Sequence, residues 1–189
     1  MMIDRYLIVD TTFLDAAYRL DLLHHLPQLY SHVFLPVTVE QEFLSKENID
    51  RDRRYAYLTE QYESWTWLKK CNSFSNEMID LLSAEKSIHR GEAEVIAQTR
   101  QLGMDAYPPS SLFALIDERR GRTVAARMGI ELTGTLRILA SLHFFGLLEY
   151  DSSVDYLLTA GHRYSKQVRE SAFATVQGEI LVGNLNPSD

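Results

Sequence analysis

Two apolar runs in this chain end on an acid. "YLIVD" closes on Asp10 and "SLFALID" closes on Asp117, far apart in the sequence but alike in form. Each run has the length and continuity of a strand buried on both faces, as in a parallel sheet. A buried strand end is a costly place for an unpaired carboxylate, so each Asp must either cap the helix that follows or help gather a cation. In open parallel sheets, ligands bind outside the carboxyl ends of the strands, which is where both acids emerge.

Further acids lie at positions able to join them. Glu42 sits in "LPVTVEQEF", roughly a turn and a half beyond Pro36, and Glu92 and Glu94 open the segment "GEAEVIA". Each has an ordinary reading: Glu40, Glu42 and Glu47 as exposed helix charges, and Glu92 and Glu94 as acids favoured by the dipole at a helix start. Helical spacing places Glu92 on one face with Val95, Ile96 and Thr99, and Glu94 on another with Ala97, Gln98 and Gln101. Glu92 is therefore the expected inward acid. Converging carboxylates make a hard, all-oxygen site suited to Mg²⁺ or Mn²⁺, and the chemistry such a site serves is phosphodiester hydrolysis.

Cationic residues follow at once. "DERRGRTVAAR" puts Arg119, Arg120, Arg122 and Arg127 just beyond Asp117, where guanidinium groups could bind phosphate or simply pair with surplus acids. Arg163, Lys166 and Arg169 form a second, weaker basic group. His24 and His25 are adjacent and would point in different directions on a helix, which disfavours a shared ion. "WTW" and the tyrosines between 55 and 62 could stack bases but at such spacing more often fill a core. Cys71 is the only cysteine and has no partner at metal-ligand spacing, so it reads as inert.

The elements that must position these residues alternate. After "YLIVD", "TTFLDAAYRLDLLHHL" reads as a helix with threonines suited to capping it. "HVFLP" and "VTVEQEFLSKE" repeat the strand-helix pair. Residues 50–63 are charged and aromatic with helical character, and "SWTWLKK" suits a short edge strand. "SNEMIDLLSAE" is a short helix with Ser75 as its cap, and "HRGEAEVIAQTRQLG" a longer one ending at Gly103. "SLFALID", the helix "ERRGRTVAARMG", the short strand "IELTGT" and the apolar helix "LRILASLHFFGLL" complete the core. "SVDYLLTAG" and "SKQVRESAFATVQGE" add two helices, the second capped by Ser165. The pattern predicts a three-layer α/β/α sandwich around a short, mostly parallel sheet, formed as a single domain over residues 1–189.

Bulk properties narrow the class. At 189 residues, with 46% hydrophobic and 24% charged side chains, the chain has the composition of a folded globular protein and enough apolar material for a core. A net charge of −7 argues against coating nucleic acid non-specifically, since that depends on neutralising phosphates. No apolar run approaches the roughly 20 residues that cross a bilayer, and the start "MMIDRYLIVD" lacks a cleavage site, so a cytoplasmic location with no membrane partner is expected.

On "IVDTTFL", "LPVTVEQEF", "GEAEVIA" and "LIDERRGRTVAARMGIELTGTLRIL", in that order, the chain resembles the PIN-domain family, and within it the prokaryotic branch related to VapC toxins. The resemblance covers about residues 6–148, and the tail 149–189 looks like the helical end of that branch. It implies a metal-dependent endoribonuclease of toxin type, with Asp10, Glu42, Glu92 and Asp117 as its catalytic acids and as ligands of Mg²⁺ or Mn²⁺. It also implies substrate or water contacts from Thr11 or Thr12 and from Thr135, beside Arg119, Arg120 and Arg122. RNA as substrate, a homodimer and a cognate antitoxin protein are the implied partners. The alternative is a non-catalytic PIN-like module that binds RNA or protein, with its acids serving as helix caps.

Overall fold

The computed structural model describes residues 4–45, 64–71, 76–86 and 88–182. The expected helix over 50–63 and the cap at Ser75 lie outside the described residues. The described chain runs β1 (Tyr6–Ile8), α1 (Thr11–Arg19), a 3₁₀ turn (Leu23–Gln28), β2 (His32–Leu35), α2 (Val37–Phe43), β3 (Leu68–Lys70), α3 (Asn76–Lys86) and α4 (Arg90–Asp105). A short 3₁₀ turn (Pro109–Ser111) then leads to β4 (Leu112–Leu115), α5 (Arg119–Arg127), β5 (Glu131–Thr133), α6 (Thr135–Phe144), α7 (Tyr150–Thr159) and α8 (Lys166–Leu181).

The five strands form one sheet in the order β3-β2-β1-β4-β5, and every pairing is parallel. β1 is central, with Leu7 opposite Val33 of β2 on one side and Phe113 of β4 on the other. The chain winds outward from β1 to β2 and β3, then returns to the far side of β1 as β4. The carboxyl ends of β1 and β4 therefore flank the point where the winding reverses, which is where open α/β sheets place their ligands.

Alternation along the strands divides the core between the two faces. Leu7, Val9, Val33, Leu35 and Leu115 pack on one side with Phe13, Leu14 and Ala17 of α1 and Ile138, Leu139 and Leu142 of α6. Tyr6, Ile8, Phe34, Leu112, Ala114 and Ile116 pack on the other with Ile79 of α3, Ala93, Val95, Ile96 and Ala97 of α4, and Val124 and Ala125 of α5. Helices on both faces of a buried parallel sheet give the expected three layers. α8 lies along α6 and is largely exposed on its outer side.

Two boundaries differ from the sequence reading. The first helix does not continue to His25: it stops at Arg19, Asp21 turns the chain in the left-handed region at φ 55°, and "LHHLPQ" follows as a 3₁₀ turn containing Pro27. α4 passes through Gly103 and ends at Asp105; a Cβ at Gly103 would make only ordinary contacts with Leu112 (3.6 Å) and Pro109 (3.7 Å), so the position demands glycine neither as a stop nor for space. Gly129 does end its helix by conformation: at φ 70° it lets Ile130 N–H reach back to Ala125 O (3.1 Å) and starts β5 immediately.

Candidate active site

Asp10 leaves β1 and becomes the N-cap of α1, with Phe13 N–H donating to its Oδ1 at 2.8 Å. The threonines expected as caps fall inside the first turn, because Asp10 already holds the extended cap conformation. Asp10 is 9% exposed. Burial pushes its carboxyl up to about 7; the Phe13 N–H opposes that shift, and the nearby charges of Asp117 and Glu92 reinforce it. Capping thus satisfies one oxygen without making the charge comfortable.

Asp117 follows β4 and is held from two elements beyond its own helix. Thr135 N–H, at the first turn of α6, donates to Oδ1 at 2.8 Å, and Tyr164 Oη–H, from the loop before α8, donates to Oδ2 at 3.1 Å. Asp117 therefore ties α6 to the end of β4 and does not cap α5. Burial first, and then the negative charge of Asp117, push the Tyr164 hydroxyl pKa upward, so it stays a donor. The sequence reading missed Tyr164: it lies 47 residues from its partner, and "HRYS" carries no motif.

Glu92 is buried in the first turn of α4, where it accepts from His89 N–H at 3.2 Å through Oε2. Its Oε1 is buried and has no hydrogen-bond partner among the described residues. Burial raises its pKa, the His89 N–H lowers it, and the charges of Glu118 and Asp117 raise it again. The charge of Asp117 therefore reaches both Asp10 and Glu92, and that of Glu92 reaches Asp10, at the carboxyl edge of β1 and β4.

Glu42 is exposed on α2 and reaches the edge of this group by accepting a hydrogen bond from Thr11 Oγ1. The Thr11 hydroxyl that the resemblance assigned to substrate is thus spent on a carboxylate. Glu94 was expected to face away from the sheet, but it is 4% exposed. Its Oε1 accepts from Thr38 N–H at 3.4 Å in the first turn of α2, while Oε2 is buried without a partner among the described residues. The helical-face argument fails because α4 packs at once on β1, β4, α2, α3 and α5, so residues 92–99 are buried without a break. Glu94 lies toward Cys71, whose thiol is pushed up to about 12 by burial and then by Glu94, and which is therefore unreactive at neutral pH.

The arginines separate into two kinds. Arg119 and Arg120 are exposed at the start of α5, as is Arg127 at its end. Arg122 instead turns inward, and its Nη1 donates to Ile116 O (2.7 Å) and Thr133 O (2.8 Å). This donor set clamps the ends of β4 and β5, where Thr133 O also accepts a long bond from Ile116 N–H (3.4 Å), so the Arg122 Nη1 expected at substrate is engaged by backbone carbonyls. Arg119 and Arg163 border a cleft of about 580 Å³ that reaches Thr12, Asp117 and Tyr164.

Among the described residues, no three His, Cys, Asp or Glu side chains stand close enough to form a ready-made ion cage. The donor set nevertheless fits a hard divalent ion. It consists of carboxylate oxygens, one of them buried with no partner on Glu92, and of acids whose mutual repulsion a cation would relieve. Mg²⁺ retains several waters and needs only one or two carboxylates directly, so a loosely gathered set suffices.

The parallel sheet of order β3-β2-β1-β4-β5 thus carries Asp10 and Asp117 beyond its strand ends at the winding reversal. A family model described as a PIN domain matches residues 6–177, and the chain belongs to that family, whose members are commonly nucleases. Neither the curated proteins nor the solved structures yield a match.

Proposed function

We propose that this chain is a divalent-metal-dependent endoribonuclease of the PIN type. The observation that carries the reading is the group formed by buried Asp10 and Glu92 with half-buried Asp117, each within electrostatic reach of another, with Glu92 Oε1 unpartnered among the described residues. Asp10 and Asp117 would hold Mg²⁺ or Mn²⁺, with Glu92 behind them and Glu42 joined through Thr11. The ion would supply Lewis acidity toward a phosphodiester and a lowered pKa for the attacking water.

The chain's own residues do the rest. Thr135 N–H and Tyr164 Oη–H orient Asp117, Phe13 N–H orients Asp10, and the capping contact to His89 orients Glu92. Arg119, at the rim of the cleft, and Arg120, exposed beside it in sequence, would bind the phosphates that flank the scissile one. The resemblance to VapC-type proteins supports a toxin-like role as a homodimer with a cognate antitoxin. The test is cleavage of single-stranded RNA in Mn²⁺ by the wild type and by Asp10→Asn and Asp117→Asn. Loss of cleavage in both variants, with the fold retained, supports the reading; equal cleavage by all three overturns it in favour of the non-catalytic module.

A further inference from the structure

The loop between α7 and α8 brings two aromatic rings to the acidic edge, and phosphodiester hydrolysis by itself has no use for them. Gly161, at φ 102°, turns the chain out of α7, with His162 N–H bonded to Leu157 O (3.0 Å). Ser165 then caps α8 by accepting from Val168 N–H. The stretch between is therefore fixed at both ends. The rings of His162 and Tyr164 lie within 12° of parallel with centroids 6.1 Å apart, and the Tyr164 hydroxyl is anchored on Asp117. Both rings line the cleft that holds Asp117, with the exposed guanidinium groups of Arg119 and Arg163 and the Glu118 carboxylate on its walls.

We propose that His162 and Tyr164 form a stacking platform for an unpaired RNA base next to the scissile phosphate, so that the loop before α8 sets which phosphodiester meets the acids. This rests on the nuclease reading of the adjoining acids. Aromatic faces accept any base, and a base in a duplex is already stacked on its neighbours and cannot be laid on a protein ring without being pulled out. Arg119 and Arg163 take the phosphates on either side of the stacked nucleotide. Because Tyr164 is tied to Asp117, the platform is in fixed register with the acids and selects which phosphodiester is presented to them.

The test uses short, 5′-labelled single-stranded RNA in which one abasic ribonucleotide is walked along the strand. Binding is measured in Ca²⁺ and cleavage in Mn²⁺. One abasic position should weaken binding to the wild type on the order of tenfold. Tyr164→Leu and His162→Ala should bring that ratio toward one, and Tyr164→Phe, which keeps the ring and loses the bond to Asp117, should retain it. The platform is overturned if Tyr164→Leu keeps the wild-type ratio, or if Tyr164→Phe loses it as fully as Tyr164→Leu. A wild type that cleaves RNA but shows no abasic penalty overturns the platform and leaves the nuclease reading standing. A penalty with no cleavage does the reverse.

Discussion

Gly121 and Glu92 are fitted to each other: a Cβ at position 121 would lie 2.6 Å from Glu92 Oε1 and 2.8 Å from Ile116 Cγ2. A glycine within α5 costs helix stability, on the order of 1 kcal/mol against alanine. Here it gives the buried carboxylate its space. Gly121→Ala should therefore destabilise the protein instead of gaining that propensity, and should weaken Mn²⁺ binding by displacing Glu92. Chemical denaturation and a Mn²⁺ titration of the variant check both effects; a more stable variant with unchanged binding contradicts them.

Asp10 makes stability pH-dependent with a definite sign. Its carboxyl titrates near 7 in the folded chain and at 3.8 ordinarily, so between those values the folded state holds the extra proton. Stability of the metal-free protein should fall as pH rises through that window, with a full cost of roughly 4 kcal/mol above it at 1.36 kcal/mol per unit. Asp10→Asn keeps an oxygen for Phe13 N–H and lacks the charge. Its melting temperature at pH 8 should exceed the wild type's by several degrees, and the gap should close toward pH 4.

The two glutamates of "GEAEVIA" should separate functionally. Glu92 senses Asp117 and Asp10, while Glu94 binds Thr38 N–H and adjoins Cys71. Glu92→Gln should weaken Mn²⁺ binding about tenfold or more, whereas Glu94→Gln should leave it within about twofold. Calorimetric titration of both variants decides the assignment.

Arg119 and Arg122 should fail in different ways. Arg122→Leu leaves Ile116 O without its Arg122 donor and Thr133 O with only the long bond from Ile116 N–H (3.4 Å), and should cost about 1–3 kcal/mol of stability. Arg119→Ala, at an exposed site, should leave stability unchanged, weaken RNA binding and reduce its salt dependence by about one phosphate contact. Melting curves and RNA binding at several salt concentrations distinguish the two.

Much of the fold was legible because strand and helix alternate with clear periodicity: "YLIVD" and "SLFALID" read as buried parallel strands, and "SWTWLKK" as a short edge strand from its alternating side-chain types, of which Leu68–Lys70 forms β3. The acids after β1 and β4 were legible for the same reason, since a strand end fixes where a side chain emerges. Glu94 was misread because a helix packed on several sides has no outward face, a fact of tertiary packing that spacing within α4 does not contain. The tie of Arg122 to the strand ends was not legible because an arginine next to an acid looks alike in sequence whether it faces solvent or a carbonyl. Tyr164 was invisible because its contact with Asp117 depends on how α7 and α8 return across the sheet edge.

The measurement that tests the central claim most directly is calorimetric titration of Mn²⁺ into the wild type and Asp10→Asn at pH 6.5, in two buffers of different ionisation heat. If Asp10, Glu92 and Asp117 hold the ion, the wild type binds with release of a proton, because Asp10 must ionise as the cation enters, and Asp10→Asn loses both the binding and the proton. A wild type that takes up no Mn²⁺, or a variant that binds it as tightly and with the same proton release, would contradict the account.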